Sequence, residues 1–382
     1  MFRPNALTYY QTSASRKKGG IPMADSVWTP GPQSRASAHK ERPASTLRFD
    51  LVMGLLSLVF VGGVYLDGWA HAHGLVDRAF FTPWHAVLYT GYLVNALVLV
   101  VTLVLNHAHG FAWKHAIPAG YEVSLLGVPL FALAGIGDLV WHTLFGFEVN
   151  LETLLSPTHL LLAGSGVLIV GGPLRAAMLR PTIPVQGRFT STLLHGWKAL
   201  CPTLLSLTAL LSVFTFFTQF AHPFDTTEAV VTLYLVEQAL LLASILLQTG
   251  LLMGMSFLLI RRWRLPLGAL TLIFTLNGSL MSVLADQYGL IPTMLLAGIV
   301  ADLLLWLLKP AATRPAALRL FAFLVPLVLS LCYFLTLMLT DTVTFNWSIH
   351  LWLGASVMAG IVSLVLSYLL VPPEGSAEKA AH

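Results

Sequence analysis

The sequence predicts an all-α fold, a polytopic transmembrane helix bundle of about ten spans built from repeated helical hairpins. Three observations predict it. Of the 382 residues, 56% are hydrophobic and only 10% are charged, whereas a soluble domain carries about 25% charged residues. The mean hydropathy is +0.78, and apolar residues come in runs of roughly 20, which as a helix cross about 30 Å of hydrocarbon. Positive charge is almost confined to alternate loops. This composition excludes an ordinary soluble enzyme.

The chain divides into a tail, a membrane domain and a second short tail. Residues 1–47 are rich in Ser, Pro, Lys and Arg without apolar periodicity, so we expect a disordered basic cytoplasmic tail. Met1 and Met23 are both candidate start residues. Residues 48–372 form the predicted transmembrane domain, with hairpin repeats near 50–105 and 119–177 and more divergent hairpins over 200–371, and residues 373–382 form a short cytoplasmic tail. The apolar segments lie at about 50–67, 82–105, 119–142, 157–177, 200–221, 229–260, 266–286, 290–308, 316–340 and 347–371.

Lysine and arginine mark the two sides of the membrane. With a cytoplasmic N-terminus, every one of the 21 Lys and Arg residues except Arg78 falls in a tail, an inner loop or the inner end of a span. The positive-inside rule then predicts that both termini are cytoplasmic and that the protein is a multi-pass protein of the cell (cytoplasmic or inner) membrane. The two cysteines, Cys201 and Cys332, lie in or beside apolar runs, which excludes a disulfide framework and a CxxC metal site.

The first two outer hairpins carry the same polar pattern: Asp-x3-His, a loop, then Thr or Ser followed by Pro-x-His. The first hairpin has Asp67 and His71, then Thr82-Pro83-Trp84-His85. In the second hairpin the Asp and the first His recur 71 residues later, and the last His follows Ser-Pro-Thr. The second copy consists of Asp138, His142 and His159. A duplication of helical hairpins is the simplest account.

This spacing brings three side chains to one end of each hairpin. Residues i and i+4 are neighbours on one helix face, so Asp67 and His71 converge. Thr82 as N-cap and Pro83 at the first helical position begin the next helix and place His85 in its first turn. One carboxylate and two imidazoles suit copper, zinc or non-haem iron. The spacing favours a metal site over the alternative that these residues only solvate the span ends, which requires no particular spacing.

Other polar residues of the later hairpins are weaker candidates. His222 and His350 lie at the outer ends of the third and fifth hairpins and are candidate metal ligands. Glu237, about two turns into the sixth span, and Asp302, in the eighth, are expensive in hydrocarbon and are functional candidates for that reason. Glu237 is the candidate catalytic group, completing the outer site or relaying protons to it; the alternative for both acids is a hydrogen bond to a neighbouring span.

The first hairpin resembles a known family. Asp67-Gly-Trp-Ala-His71 followed by Phe81-Thr82-Pro83-Trp84-His85 is similar to the Asp-x3-His and Thr-Pro-Ser-His motif in the C subunit of the particulate methane and ammonia monooxygenases. The pair Trp141-His142 in the second copy also resembles that motif. The resemblance covers about 20 residues per copy. In that family these residues ligate copper at a membrane-embedded site of oxidation, so the resemblance implies as copper ligands Asp67, His71, His85, Asp138, His142 and His159.

These observations predict an integral membrane protein with an outward-facing copper site. It would oxidise a small apolar substrate in the manner of a monooxygenase, or bind copper and hand it on. The expected partners are the lipid bilayer and an extracytoplasmic, cupredoxin-like subunit, and no nucleic acid. The alternatives are a transporter of a metal or small solute, a haem-b protein using His85, His159 and His350, and a purely structural subunit.

Overall fold

The described chain is helical throughout. A computed structural model describes residues 42–75, 81–146, 151–180, 189–230, 234–340 and 345–371, and within these ranges no β-strand forms. Most of the predicted N-terminal tail and the predicted C-terminal tail lie outside them. The helices are α1 (Leu47–Ala72), α2 (Pro83–Ala108), α3 (Glu122–Phe145), α4 (Leu151–Leu155), α5 (Pro157–Val170), α6 (Gly172–Leu179), α7 (Phe189–Phe217), α8 (Leu235–Arg262), α9 (Ala269–Leu284), α10 (Ile291–Leu308), α11 (Pro315–Leu339) and α12 (Ile349–Leu370).

Length and composition show a multi-pass membrane protein. In the described part of the chain, 8 helices are long and apolar enough to cross a bilayer: α1, α2, α3, α7, α8, α10, α11 and α12. The predicted fourth span is instead two helices, α5 and α6, that meet at an angle of 41°. The break lies at Gly171, two residues before Pro173, where proline removes a helix hydrogen bond. The predicted seventh span is α9, which has only 16 residues. The ten apolar segments therefore coincide with helices, but two differ from a regular span.

Small residues bring the helices of the first hairpin close together. A Cβ atom added to Gly63 of α1 would lie 3.0 Å from the Cα atom of Leu88, and one added to Gly91 of α2 would lie 2.8 Å from the Cα atom of Phe60. Membrane helices associate through such contacts because lipid provides no hydrophobic driving force between them. In the same way α3 packs on α5. The helices α8 to α12 form a second set, which packs on α7 mainly through α8 and α9. The ends of α1 and α2 are thereby held together.

A buried ion-pair cluster fixes the opposite end of this half of the bundle. Asp50, which is fully buried near the start of α1, forms an ion pair with Arg180 and accepts a hydrogen bond from the Tyr121 hydroxyl at 2.8 Å. Arg175 of α6 donates to the Ser124 hydroxyl of α3 at 2.6 Å. These bonds join α1, α3 and α6 through groups that would otherwise be buried without partners, which is costly. These hydrogen bonds and the ion pair therefore hold the two hairpins together at the end remote from the candidate ligands.

Asp302 has a structural role in the second set of helices. Its Oδ2 atom accepts hydrogen bonds from the Thr271 N–H at 2.8 Å and the Thr271 hydroxyl at 2.6 Å, and its Oδ1 atom accepts one from the Leu270 N–H at 3.3 Å. These donors belong to the first turn of α9, where helical N–H groups lack partners. Asp302 of α10 thus caps α9. This matches the alternative given above for Asp302, a hydrogen bond to a neighbouring span.

Candidate metal centre

The first group of candidate ligands lies where α1 ends and α2 begins. Asp67 and His71 are one turn apart near the end of α1, and His85 lies in the first turn of α2. The start of α2 has the predicted form, because Thr82 Oγ1 accepts a hydrogen bond from the His85 N–H at 3.2 Å and Pro83 follows. His85 Nε2 lies 3.4 Å from Asp67 Oδ2, and His71 Nε2 lies 3.8 Å from the same oxygen. The three side chains meet at one point.

The second group repeats this arrangement between α3 and α5. Asp138 and His142 lie one turn apart near the end of α3, and His159 lies in the first turn of α5. Ser156 is the N-cap residue, and its Oγ atom accepts a hydrogen bond from the His159 N–H at 3.3 Å. His159 Nε2 lies 3.5 Å and His142 Nε2 lies 3.6 Å from Asp138 Oδ1. The repeat in the sequence therefore corresponds to two groups of similar geometry.

Neighbouring polar groups orient the ligands of the second group. Thr158 Oγ1 donates a hydrogen bond to Asp138 Oδ1 at 3.0 Å, and Ser156 Oγ lies 2.6 Å from His159 Nδ1. His142 Nδ1 lies 3.1 Å from the carbonyl oxygen of Gly146. Because a carbonyl only accepts, Nδ1 carries the proton, and in the neutral ring Nε2 keeps a lone pair directed to the same side as Asp138. Such partners fix the ring orientation that a metal ligand needs.

Both groups fit a small metal cation. In each, one carboxylate oxygen and two imidazole nitrogens lie within 4.8 Å of one another. In the described part of the chain, no other three His, Cys, Asp or Glu side chains bring their ligand atoms this close together. Asp67 is only 8% exposed, and its Oδ1 atom is buried without a hydrogen-bond partner. A buried carboxylate oxygen without a partner is costly, and a bound cation would satisfy it.

The two groups share one cavity. Five of the six candidate ligands, all except His142, line a cavity of about 430 Å³. The cavity extends from His71 to Phe60 along α1, about 16 Å at the helical rise per residue. Away from the ligands its walls are mostly apolar, with Phe60, Leu88, Phe131, Leu162 and Phe216. The candidate ligands therefore lie at a polar end of the cavity, and apolar side chains form most of its remaining walls.

Three further polar residues line this cavity and were not selected from the sequence: Tyr89, Gln219 and Asp225. Tyr89 lies one turn after His85, so the i+4 spacing was the available signal. Gln219 and Asp225 lie in the third outer hairpin, between α7 and α8, and partial burial raises the pKa of Asp225 above its ordinary value. The third outer hairpin therefore lines the cavity through Gln219 and Asp225 rather than through His222.

The remaining predicted site residues lie apart from both groups. His222 lines a different cavity, and its Nδ1 atom accepts a hydrogen bond from the Phe224 N–H at 3.1 Å. His350 is exposed in the first turn of α12. Glu237 is exposed in the first turn of α8, so its predicted depth of about two turns is wrong, because α8 begins at Leu235 rather than near residue 229. The ligand and catalytic roles of these three residues stay predictions.

Comparisons with protein-family models, with curated proteins and with solved structures give no match to this chain. The chemical argument therefore depends on the six side chains, their hydrogen-bond partners and the cavity that they share.

Proposed function

We propose that this membrane protein binds two copper ions, one in each Asp-His-His group, and uses them to oxidise a small apolar substrate with O2. The observation that carries the proposal is that five of the six side chains of two groups of identical composition line one cavity whose other walls are mostly apolar. We further propose ten spans in the cell membrane with both termini in the cytoplasm, so that the centre lies near the outer face. The distribution of Lys and Arg supports this orientation.

Copper is the proposed metal because of the donor set and the motif. Two imidazole nitrogens and one carboxylate oxygen bind copper more tightly than other divalent first-row metals, and the first hairpin resembles a copper-binding motif. Zinc and non-haem iron accept the same donors and are the alternatives. Bound copper would supply one-electron redox chemistry and activation of O2. A haem is less compatible, since a carboxylate oxygen lies 3.4 and 3.8 Å from the imidazole nitrogens of the first group, which leaves space for a bare ion but not for a porphyrin ring.

The protein would hold and shield the centre. The clustered imidazoles and carboxylates fix two positions, and the hydroxyls of Ser156 and Thr158 keep the second group oriented. The apolar walls would admit a hydrocarbon from the bilayer and limit the water around the reacting atoms. An extracytoplasmic cupredoxin-like partner would deliver electrons or copper at the outer face. In the second candidate function, copper storage or transfer, the same groups would hold copper without consuming O2.

Transport of a metal or small solute is the competing proposal. It would rely on two acidic side chains, Glu237 in the first turn of α8 and Asp302 within α10. Both carboxylate oxygens of Asp302 accept hydrogen bonds from the start of α9, which supports a capping role. Vesicle uptake of a metal that is lost in Glu237→Gln would favour transport over oxidation.

Metal analysis of the purified full chain in lipid nanodiscs tests the proposal. We expect about two copper ions per chain in the wild type and about one after His142→Ala or His71→Ala, because each removes one of three ligands from one group. His73→Ala is the matched control, since His73 is an outer histidine outside both groups whose Nε2 atom lies 3.1 Å from Asp286. The control should keep two copper ions.

Equal copper content in the wild type and in both ligand variants would overturn the metal assignment. Oxygen consumption with a hydrocarbon or ammonia, measured with a quinol added as the source of the two electrons that each oxygen insertion needs, then separates oxidation from copper storage. We expect substrate-dependent oxygen consumption in the wild type and none in His142→Ala. A copper-loaded wild type that consumes no oxygen would overturn the enzymatic proposal and leave copper handling.

A further inference from the structure

A second, smaller cavity lies in the other half of the bundle. This C-terminal chamber has a volume of about 60 Å³ and is enclosed by α7 to α11 and the loop that follows α7. None of its lining residues lines the cavity of the candidate metal centre. Its polar members include His222, Thr249, Asn277 and Ser330. The chamber is therefore separate from the proposed copper site and independent of it.

His222 presents an unpaired N–H group to the C-terminal chamber. Its Nδ1 atom accepts a hydrogen bond from the Phe224 N–H, so in the neutral ring the proton resides on Nε2. Nothing in the described chain accepts a hydrogen bond from Nε2, and the residue is only 6% exposed. Burial lowers the pKa of His222 to about 3, which keeps the ring neutral. His222 is thus a donor without an acceptor.

Asn277 presents a second unpaired donor. Its Oδ1 atom accepts a hydrogen bond from the Ser212 hydroxyl at 3.0 Å, so its amide nitrogen is directed elsewhere and finds no acceptor in the described chain. The side chain is as buried as that of His222. The hydroxyl groups of Thr249 and Ser330, also buried, make no hydrogen bond within the described residues. Each such group costs about 1–3 kcal/mol if it stays unsatisfied.

Charge and size restrict what could satisfy these groups. No Asp, Glu, Lys or Arg lines the C-terminal chamber in the described chain, and burying an ion without a countercharge is far more costly than burying a neutral polar molecule. A buried water needs about 10–15 Å³ of such space. The chamber therefore has room for a few waters or for one neutral molecule of similar size.

We propose that the C-terminal chamber binds a small neutral hydroxyl compound, either water or a short alcohol. Its oxygen accepts hydrogen bonds from His222 Nε2 and the Asn277 amide, and its hydroxyl hydrogen is donated to Thr249 or Ser330. A hydroxyl group matches this lining because it both accepts and donates, whereas the two nitrogen groups only donate.

A high-resolution structure of the full chain in nanodiscs tests this occupancy. One sample contains water alone and a second contains 2-bromoethanol, whose bromine is located by anomalous scattering. Ordered water within hydrogen-bonding distance of His222 Nε2 and Asn277, with no bromine peak, identifies a water site. A bromine peak in the wild type that is lost in Asn277→Leu identifies an alcohol site. A chamber without ordered density that instead binds xenon is dry, and this result overturns the proposal.

A thermal measurement gives a second test that does not depend on Asn277→Leu folding. Thr249→Val removes the hydroxyl without changing the shape of the side chain. Ser330→Ala is measured beside it, because the occupant donates to either hydroxyl. If the chamber is occupied, at least one of the two variants loses a hydrogen bond and its Tm falls by about 2 °C. If the chamber is dry, each variant only removes an unsatisfied group and neither Tm falls, which overturns the proposal. Thr208→Val is the matched control, because Thr208 is buried on α7 and donates to the Leu204 carbonyl at 2.8 Å.

Discussion

The two Asp-His-His groups have the same ligands but different surroundings. In the second group the carboxylate of Asp138 accepts a hydrogen bond from Thr158, and the Ser156 hydroxyl contacts His159 Nδ1. In the first group the residue that corresponds to Thr158 is Trp84, which has no hydroxyl, and Asp67 Oδ1 is buried without a partner. The Asp-x3-His and Pro-x-His spacings thus recur in both copies, although 14 residues separate His71 from His85 and 17 separate His142 from His159. The hydrogen bond from the residue after Pro to the Asp carboxylate is present only in the second copy.

This difference indicates that the ligands of the two groups are preorganised for metal binding to different degrees. Hydrogen bonds to ligands fix their orientation before the metal binds, so less ordering remains to be done on binding. The second group is preorganised in this sense. In the first group Asp67 Oδ1 has no hydrogen-bond donor that orients the carboxylate, so more ordering of Asp67 remains to be done on binding. We therefore expect tight, invariant binding in the second group and weaker, more adaptable binding in the first.

Removing a carboxylate should have the largest effect. We expect Asp138→Ala to abolish metal binding in the second group and to leave one metal per chain in the first, and Asp67→Ala to do the reverse. The loss should exceed the roughly 10–100-fold change that removal of a supporting hydrogen bond causes. Metal analysis and competition with a chelator measure it. If either variant lost both metals, the groups would depend on each other and the comparison would fail.

Removing the supporting hydroxyl of the second group should have the next largest effect. We expect Thr158→Val to weaken metal binding there by about 10–100-fold, because Asp138 Oδ1 loses its donor. The first group should be unchanged. Thr143→Val is the control, since Thr143 lies on the same helix as Asp138 but donates only to the Leu139 carbonyl. An affinity within twofold of the wild type would show that the hydroxyl does not orient the carboxylate.

Introducing a hydroxyl beside Asp67 should raise the metal affinity of the first group toward that of the second. Trp84→Thr places a donor at the position of Thr158, and one net hydrogen bond of about 1 kcal/mol corresponds to about fivefold tighter binding. Part of this gain is lost with the contact between the rings of Trp84 and Trp69, whose centroids lie 6.1 Å apart. Chelator competition for the more weakly bound metal measures the change. Weaker binding in Trp84→Thr would contradict the explanation.

Removing the two N-cap hydroxyls should have the smallest effect, and the two removals should differ in their effect on metal affinity. Ser156→Ala and Thr82→Ala each remove an N-cap hydroxyl, which costs about 1 kcal/mol and lowers Tm by about 2 °C. Only Ser156 also contacts a ligand ring, so only Ser156→Ala should weaken metal binding as well. Equal metal affinity in the two variants would show that the contact with His159 is incidental.

Local features of the fold and the centre were predictable from the sequence. The apolar runs predicted the helices, and the i+4 spacing of Asp67 and His71 placed them on one face. The Thr-Pro and Ser-Pro pairs predicted the starts of α2 and α5, which put His85 and His159 in first turns. Each of these signals lies within a few residues of the side chain that it positions.

Features that depend on packing between helices were not predictable. That both groups share one cavity follows from how the two hairpins pack, and no local pattern reports it. His222, whose ligand role stays a prediction, lines the C-terminal chamber rather than the cavity of the two groups, and its ring accepts a hydrogen bond from the Phe224 N–H. Glu237 was placed too deep because the apolar run begins before α8 does, and the capping of α9 by Asp302 joins residues about 30 apart in sequence.

Anomalous diffraction or absorption at the copper edge, on crystals of the copper-loaded full chain, tests the central claim most directly. We predict two copper peaks in the same cavity, one bound by Asp67, His71 and His85 and the other by Asp138, His142 and His159, with the second peak more fully occupied at limiting copper. Copper located at His222 or His350, or an absence of copper from both groups, would contradict the account.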